Sequence, residues 1–187
     1  MRIEDIYENL PQLETERLIL RKIRREDIDD IHIYASNPEV SKYVFWEAHE
    51  TRAATEEYVK RILSLYKERK IAPWGIHYKE DNKLIGTVDF VSWQPQHKTA
   101  EIGYALSMEY WGRGIATEAA KELIRYGMNE MELVRIQAKA LVTNKGSERV
   151  MEKAGMKFEG ILRKFIYFKG VHHDVKMYSI IKEDASL

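Results

Sequence analysis

The chain has 187 residues, enough for one domain whose core folds without disulfide or metal staples. Its 30 Lys and Arg balance 30 Asp and Glu, so no net field draws it toward nucleic acid or an anionic membrane. There is no cysteine, which excludes disulfides, thiolate metal sites and cysteine nucleophiles, and the 44% apolar and 32% charged composition is that of a water-soluble globule.

The start, Met1-Arg-Ile-Glu-Asp-Ile6, has no apolar signal core, and no apolar run reaches the roughly 20 residues a bilayer requires. A cytoplasmic protein without nucleic-acid or membrane partners is expected. No repeat and no Pro/Gly/Ser linker divides the chain, so residues 1–187 read as one domain, with 1–14 a loose N-terminal arm or a short helix. Leu18–Ile23 reads as the first strand. Arg25–Ala35 reads as a helix that Asn37-Pro38 terminates. Thr51 caps a second helix reaching about Arg69, with Ala54, Tyr58, Ile62 and Leu65 as its buried stripe. Trp74–Tyr78 and Leu84–Val91 form a hairpin about Asp81-Asn82, and Thr99–Leu106 is the next strand. Ile115–Met131 is a helix, with Ala116, Ala119, Ala120, Leu123 and Ile124 inward. Val134–Val142 is a strand, Ser147–Ala154 a helix closed by Gly155, and Phe158–Phe168 and Asp174–Ile181 are strands joined at Lys169-Gly170. This order is α+β: antiparallel meanders flank one central strand–helix–strand unit.

Between that strand and helix lies Tyr110-Trp-Gly-Arg-Gly-Ile-Ala-Thr-Glu-Ala119. Gly112 and Gly114 let backbone approach a ligand closely. The first N–H groups of the helix lack internal partners and sit at the positive end of its dipole, which makes the turn a site for an anion. No Gly-Lys-Ser/Thr follows, so it is not a nucleotide P-loop. The same residues also fit a plain strand-to-helix turn.

The stretch resembles the cofactor motif of the GNAT acetyltransferase superfamily, Arg/Gln-x-x-Gly-x-Gly/Ala. Gly114 and Ala116 match its last fixed positions, and Trp111 stands where Arg or Gln is usual. Thr15–Arg21, Ala100–Tyr104, Asn144–Ser147, Lys153–Arg163, Gly170–Asp174 and Tyr178 agree, in order, with the RimJ/RimL-type subgroup that acetylates ribosomal-protein N-termini. The resemblance spans about residues 15–182. It implies a GNAT fold, with a mixed, mostly antiparallel sheet, flanking helices and a splayed central strand pair, and acetyl-CoA as co-substrate with no metal. By the same resemblance, backbone near Leu106 and Met108 meets pantetheine, and the N–H groups of Gly112, Arg113, Gly114, Ile115, Ala116 and Thr117, next to Trp111, hold the pyrophosphate. Asn144 bonds the pantetheine arm and Lys153 touches the nucleotide end.

Acetyl transfer to an amine needs a base, an oxyanion partner and a proton for the leaving thiolate. Glu101 is the first candidate base, acting through water, against the reading of a solvated or ion-paired glutamate. Ser147 and Tyr178 are candidates for the sulfur, against an N-cap and a core tyrosine. Phe165-Ile166 occupy the place where some subgroup members carry a carboxylate. His172-His173-Asp174 reads as a turn, because adjacent strand residues face opposite ways and chelate poorly. Tyr43, Phe45, Trp46, Trp74 and Trp93 are candidates for an acceptor wall. Glu47, Glu50, Glu56 and Glu57 form either a polyamine lure or a solvated face. The leading expectation is acetylation of a protein or peptide α-amine of the ribosomal type, by a monomer or homodimer. Acetylation of a polyamine, aminoglycoside or amino-acid analogue, and a non-catalytic acetyl-CoA sensor, are the alternatives.

Overall fold

The computed structural model describes residues 2–184; Met1 and residues 185–187 lie outside the described residues. In chain order the elements are α1 (Ile3–Tyr7), β1 (Leu13–Glu14), β2 (Leu18–Arg21), α2 (Ile28–Ala35), α3 (Pro38–Ser41), α4 (Arg52–Lys67), β3 (Trp74–Tyr78), β4 (Lys83–Gln94), β5 (Thr99–Leu106), α5 (Ile115–Asn129), β6 (Arg135–Leu141), α6 (Lys145–Lys153), β7 (Lys157–Phe168) and β8 (Val171–Ile181). The strands form one sheet in the order β1-β2-β3-β4-β5-β6-β8-β7. Every neighbouring pair is antiparallel except β5 and β6, which α5 joins as a parallel crossover.

The parallel pair splays. Its ladder holds only Thr99, Ala100 and Glu101 against Arg135, Ile136 and Gln137. Beyond that point β5 follows β4, to which it pairs as far as Leu106 opposite Gly86. β6 instead follows β8, from Arg135 opposite Ile181 to Leu141 opposite Val175. Each strand twists with its own antiparallel partner, so a gap opens between Ile102–Leu106 and Ala138–Leu141.

The core lies on both faces of the sheet, one part of it under α5. Ile136, Ala138 and Ala140 alternate inward along β6, and Ala119, Ala120, Leu123 and Ile124 meet them from the helix. α2 and α4 cover the opposite face. The cap of α4 is as expected, with Thr51 accepting from the Ala54 N–H, but its buried stripe is Thr55, Val59, Ile62 and Tyr66. The helix is rotated from the expected stripe because the polar ends of Thr55 and Tyr66 have internal partners. The Thr55 hydroxyl meets His32 Nδ1 at 2.8 Å, and the Tyr66 hydroxyl accepts from the Ile23 N–H at 3.1 Å and donates to the Pro73 carbonyl at 2.5 Å.

Residues 2–14 are no loose arm. Ile6, Tyr7, Leu10 and Leu13 are buried, and the Trp74 indole N–H donates to the Pro11 carbonyl at 2.8 Å. Trp74 is 0% exposed and packs edge-on against Phe90 and Tyr126, while Trp93 is 6% exposed. Two of the three expected acceptor-wall tryptophans are therefore core residues. Replacing Trp74 with Ala should destabilise the fold by about 3–5 kcal/mol in urea unfolding, the cost of truncating a buried aromatic. A tryptophan that merely lined an open slot would cost far less.

Candidate active site

The turn between β5 and α5 is built to leave donors free. A short 3-10 turn, Met108–Tyr110, ends β5, and Gly112 and Gly114 take φ of 76° and 78°. Side chains avoid that left-handed region, which glycine enters without cost. Gly114 is the N-cap of α5 and supplies no capping side chain. As a result, no N–H from Gly112 to Thr117 has an acceptor among the described residues; the first bonded one is Glu118, to the Gly114 carbonyl at 3.0 Å. These donors sit at the positive end of a fifteen-residue helix, beside the gap between β5 and β6. Such a row of donors suits an anion, because no acceptor among the described residues competes for these N–H groups.

The loop is pinned from two sides. The Trp111 indole N–H donates to the Leu106 carbonyl at 2.8 Å, so Trp111 ties the turn to the end of β5 and uses one of the backbone groups expected to face pantetheine. On the other side Glu118 accepts from the Thr15 hydroxyl at 2.5 Å, from the Arg17 N–H at 3.0 Å and from Arg17 Nε at 2.7 Å. Arg17 Nη1 then donates to the Arg113 carbonyl at 3.0 Å. Burial opposes the Glu118 charge, but these bonds outweigh it and hold the carboxyl below its ordinary range. The sequence reading passed over this clamp, although Thr15-Glu-Arg17 and Glu118 lie inside the matched stretches. Met108 is exposed, and its N–H has no acceptor among the described residues.

Across the gap, Asn144 is the N-cap of α6 and accepts from the Ser147 N–H at 3.1 Å. Ser147 is thus inside the helix, and its hydroxyl lies 2.8 Å from that of Tyr104 on β5. Tyr104 was not among the expected residues. This pair bridges β5 and α6 over the cleft, and burial pushes the Tyr104 phenol up to about 12. Tyr178 is turned elsewhere: its hydroxyl reaches Glu148 at 3.2 Å and Glu152 at 3.3 Å on α6. Burial, then the Glu148 charge, pushes its phenol up to about 12. Lys153 is exposed at the last turn of α6.

The opposite face of the sheet carries the carboxylates. Glu101, 9% exposed, is the last β5 residue in the ladder with β6. It pairs with Lys139 at 2.7 Å and accepts from Gln137 Nε2 at 3.2 Å. The Lys139 ammonium also lies 5.5 Å from the centre of the Phe165 ring. Asp89, on β4 opposite Gly103, shares this face and was missed. The available signal was one aspartate in the apolar run Ile85-Gly-Thr-Val-Asp-Phe-Val91.

The hairpin of β7 and β8 roofs this side. Lys169 and Gly170 both take positive φ at its tip, as a two-residue hairpin turn requires. The Lys169 ammonium bonds the Ser41 carbonyl at 3.2 Å and Glu47 at 3.3 Å, and Phe168 meets Phe45 edge-on at 5.4 Å. Tyr43 and Trp46 are half-buried in the same segment, and Trp46 packs on His49. Glu56 and Glu57 pair with Arg52 and Lys60 on the solvated face of α4. His172 and His173 lie within β8 and separate: one stacks on Tyr167, the other bonds the Phe168 carbonyl.

Glu118→Ala should strip acceptors from Thr15 and Arg17 and lower stability by about 1–3 kcal/mol, the cost of orphaned donors, as read by urea denaturation. Acetyl-CoA affinity should fall with it as the loop loosens.

A family model described as an acetyltransferase (GNAT) domain matches residues 17–157. An uncharacterised N-acetyltransferase of Bacillus subtilis, YoaA, is 37% identical over 172 residues, which is 92% of this chain and 97% of that protein. The ribosomal-protein-serine acetyltransferase of Escherichia coli is 35% identical over 114 residues, 61% of this chain and 63% of that one. Among solved structures, a GNAT-family acetyltransferase from Bacillus anthracis is 32% identical with a TM-score of 0.82, covering 92% of this chain and 99% of its own. With a donor-lined helix start beside a splayed parallel pair, and a family match over most of its length, the chain belongs to the GNAT family of N-acetyltransferases.

Proposed function

We propose that the protein moves acetyl from acetyl-CoA directly to a primary amine, foremost the N-terminal α-amine of a protein of the ribosomal type. The observation that carries the cofactor half is the row of unclaimed N–H groups from Gly112 to Thr117 beside the gap. Acetyl-CoA supplies the activated acetyl group as a thioester. Asn144 and the unladdered edges of β5 and β6 line the path of its arm, and Ser147 with Tyr104 offers hydroxyls to the departing sulfur. The acceptor enters from the other face, between the segment holding Tyr43, Phe45 and Trp46 and the β7–β8 hairpin. Glu101, positioned by Lys139 and Gln137, gives that face a carboxyl to meet an incoming ammonium. The likeness to the ribosomal-protein-serine acetyltransferase, together with the RimJ/RimL-type motifs, favours a peptide terminus over a small amine.

Two measurements test this reading. Gly114→Glu should weaken acetyl-CoA binding at least about 100-fold in calorimetry, because a like charge enters the anion site and a side chain enters a left-handed position. Unchanged affinity in a folded variant would remove the pyrophosphate assignment. CoA release should rise with Ser- or Ala-starting ribosomal-protein peptides and stay low with spermidine, aminoglycosides and free amino acids. Acetylation of a small amine alone would replace the peptide reading, and tight acetyl-CoA binding with no turnover would favour a sensor.

A further inference from the structure

Asp89 is a carboxyl in the middle of the sheet with no hydrogen-bond or ion-pair partner among the described residues. It lies on β4 beside Phe90, whose ring faces α5, so strand alternation turns Asp89 to the opposite face, under α2 and α4. Its register partner on β5 is Gly103. Gly103 lies two residues beyond Glu101, the last β5 residue bonded to β6, and therefore borders the open gap. A Cβ at position 103 would stand 3.4 Å from Asp89 Oδ1 and 2.7 Å from Val91 Cγ1. The absence of a side chain lets Asp89 Oδ1 lie close against the β5 backbone at Gly103, at the border of the gap. A register shift between Phe90 and Ser92 puts Val91 in a bulge directly beyond it, a device that re-aims strand residues. Asp89 is half-buried, so it is both shielded and reachable.

We propose that Asp89, and not Glu101, is the base that takes the proton from the acceptor amine. The proposal rests on the acetyl-transfer reading above. A base must reach the acceptor nitrogen, and both Glu101 oxygens are already engaged, one by Lys139 at 2.7 Å and the other by Gln137 at 3.2 Å. Asp89 has no such partner among the described residues, and burial alone pushes its carboxyl up to about 7. A group titrating there is matched to an α-amine, whose ordinary value is about 8. The titratable groups around it are tyrosines from the packed helices: Tyr58 and Tyr66 of α4 and Tyr7 of α1 feel its charge. α2, which packs on β4, carries Tyr34 and His32, and on the neighbouring β5 Glu101 stands two residues from Gly103. Tyr58 in turn packs on His49, next to Trp46, so a tyrosine that feels the Asp89 charge adjoins the proposed acceptor segment.

The step balances without any further reagent. One proton passes from the acceptor ammonium to the Asp89 carboxylate, directly or through one water. The freed nitrogen pair attacks the thioester carbonyl, the C–N bond forms and the C–S bond breaks. The second nitrogen proton ends on the departing thiolate, giving the amide and CoA thiol, and Asp89 returns its proton to solvent.

Asp89→Asn keeps the shape of the side chain and removes the base. It should lower kcat by about 100-fold or more while acetyl-CoA affinity stays within two-fold. In the wild type, kcat at saturating acceptor should fall as pH drops below about 7, where Asp89 protonates, and this limb should keep its position for acceptors of different amine basicity. The variant should lose the limb, whereas Glu101→Gln should retain it. An Asp89→Asn enzyme within a few-fold of wild type, or one that keeps the limb, would overturn the assignment while leaving acetyl transfer intact. Wild type inert toward every amine would instead count against the acetyl-transfer reading. Independently of turnover and of the variant's folding, the assigned carboxyl carbon-13 signal of Asp89 in the wild type should titrate near neutrality; a midpoint in the ordinary aspartate range would also overturn it.

Discussion

β5 and β6 are each claimed along their length by a different antiparallel neighbour, and the chemistry depends on the strain between those claims. β5 is bound to β4 as far as Leu106, and β6 is bound to β8 as far as Leu141, so their shared ladder ends at Glu101 and Gln137. Sheet twist then carries them apart. Backbone groups along the facing edges are left needing partners in a cleft that passes through the sheet, where a buried polar backbone is otherwise rarely tolerated. A ligand arm that pairs with those edges restores what the splay removed.

The gap also divides labour between the two faces. On the α5 and α6 side stand the donors: the helix start at Gly112–Thr117, the cap at Asn144 and the hydroxyl pair of Tyr104 and Ser147. On the α2 and α4 side stand the acidic groups, Glu101 and Asp89, under a roof formed where Lys169 and Phe168 dock on residues 41–47. An anion is favoured on one face and an ammonium on the other, and the two meet only where the sheet is open. The clamp of Thr15, Arg17 and Glu118 links the start of the sheet to the anion loop, so the N-terminal segment takes part in holding the cofactor turn rather than trailing from the fold.

Within the acidic face, surroundings matter more than residue type. Glu101 and Asp89 are both shielded carboxyls near the gap, yet one is fixed by an ammonium and an amide and the other is left with burial alone. A fixed charge orients; a group whose charge is costly can exchange a proton. Nothing in the local sequence around either residue distinguishes them, because Lys139 and Gln137 come from β6 and Gly103 from the far strand of a register pair.

What the sequence determined by itself is what depends on near neighbours. Gly112 and Gly114 before an apolar-periodic helix dictate an uncapped start with free N–H groups; Thr51 and Gly155 mark helix ends; alternation in Val134–Val142 marks a half-buried strand. Together with the ordered motifs, these made the family and the donor-lined turn legible. Tertiary structure alone decided what depends on distant partners. It sent Trp74 and Trp93 to the core while Trp46 stayed half-buried against His49. It gave Ser147 to Tyr104, turned Tyr178 toward Glu148 and Glu152, and rotated the buried stripe of α4 to suit Thr55 and Tyr66. An aromatic or a carboxyl in a strand carries no local mark of the face it will line, because strand register and helix docking fix that face only once the whole sheet has closed.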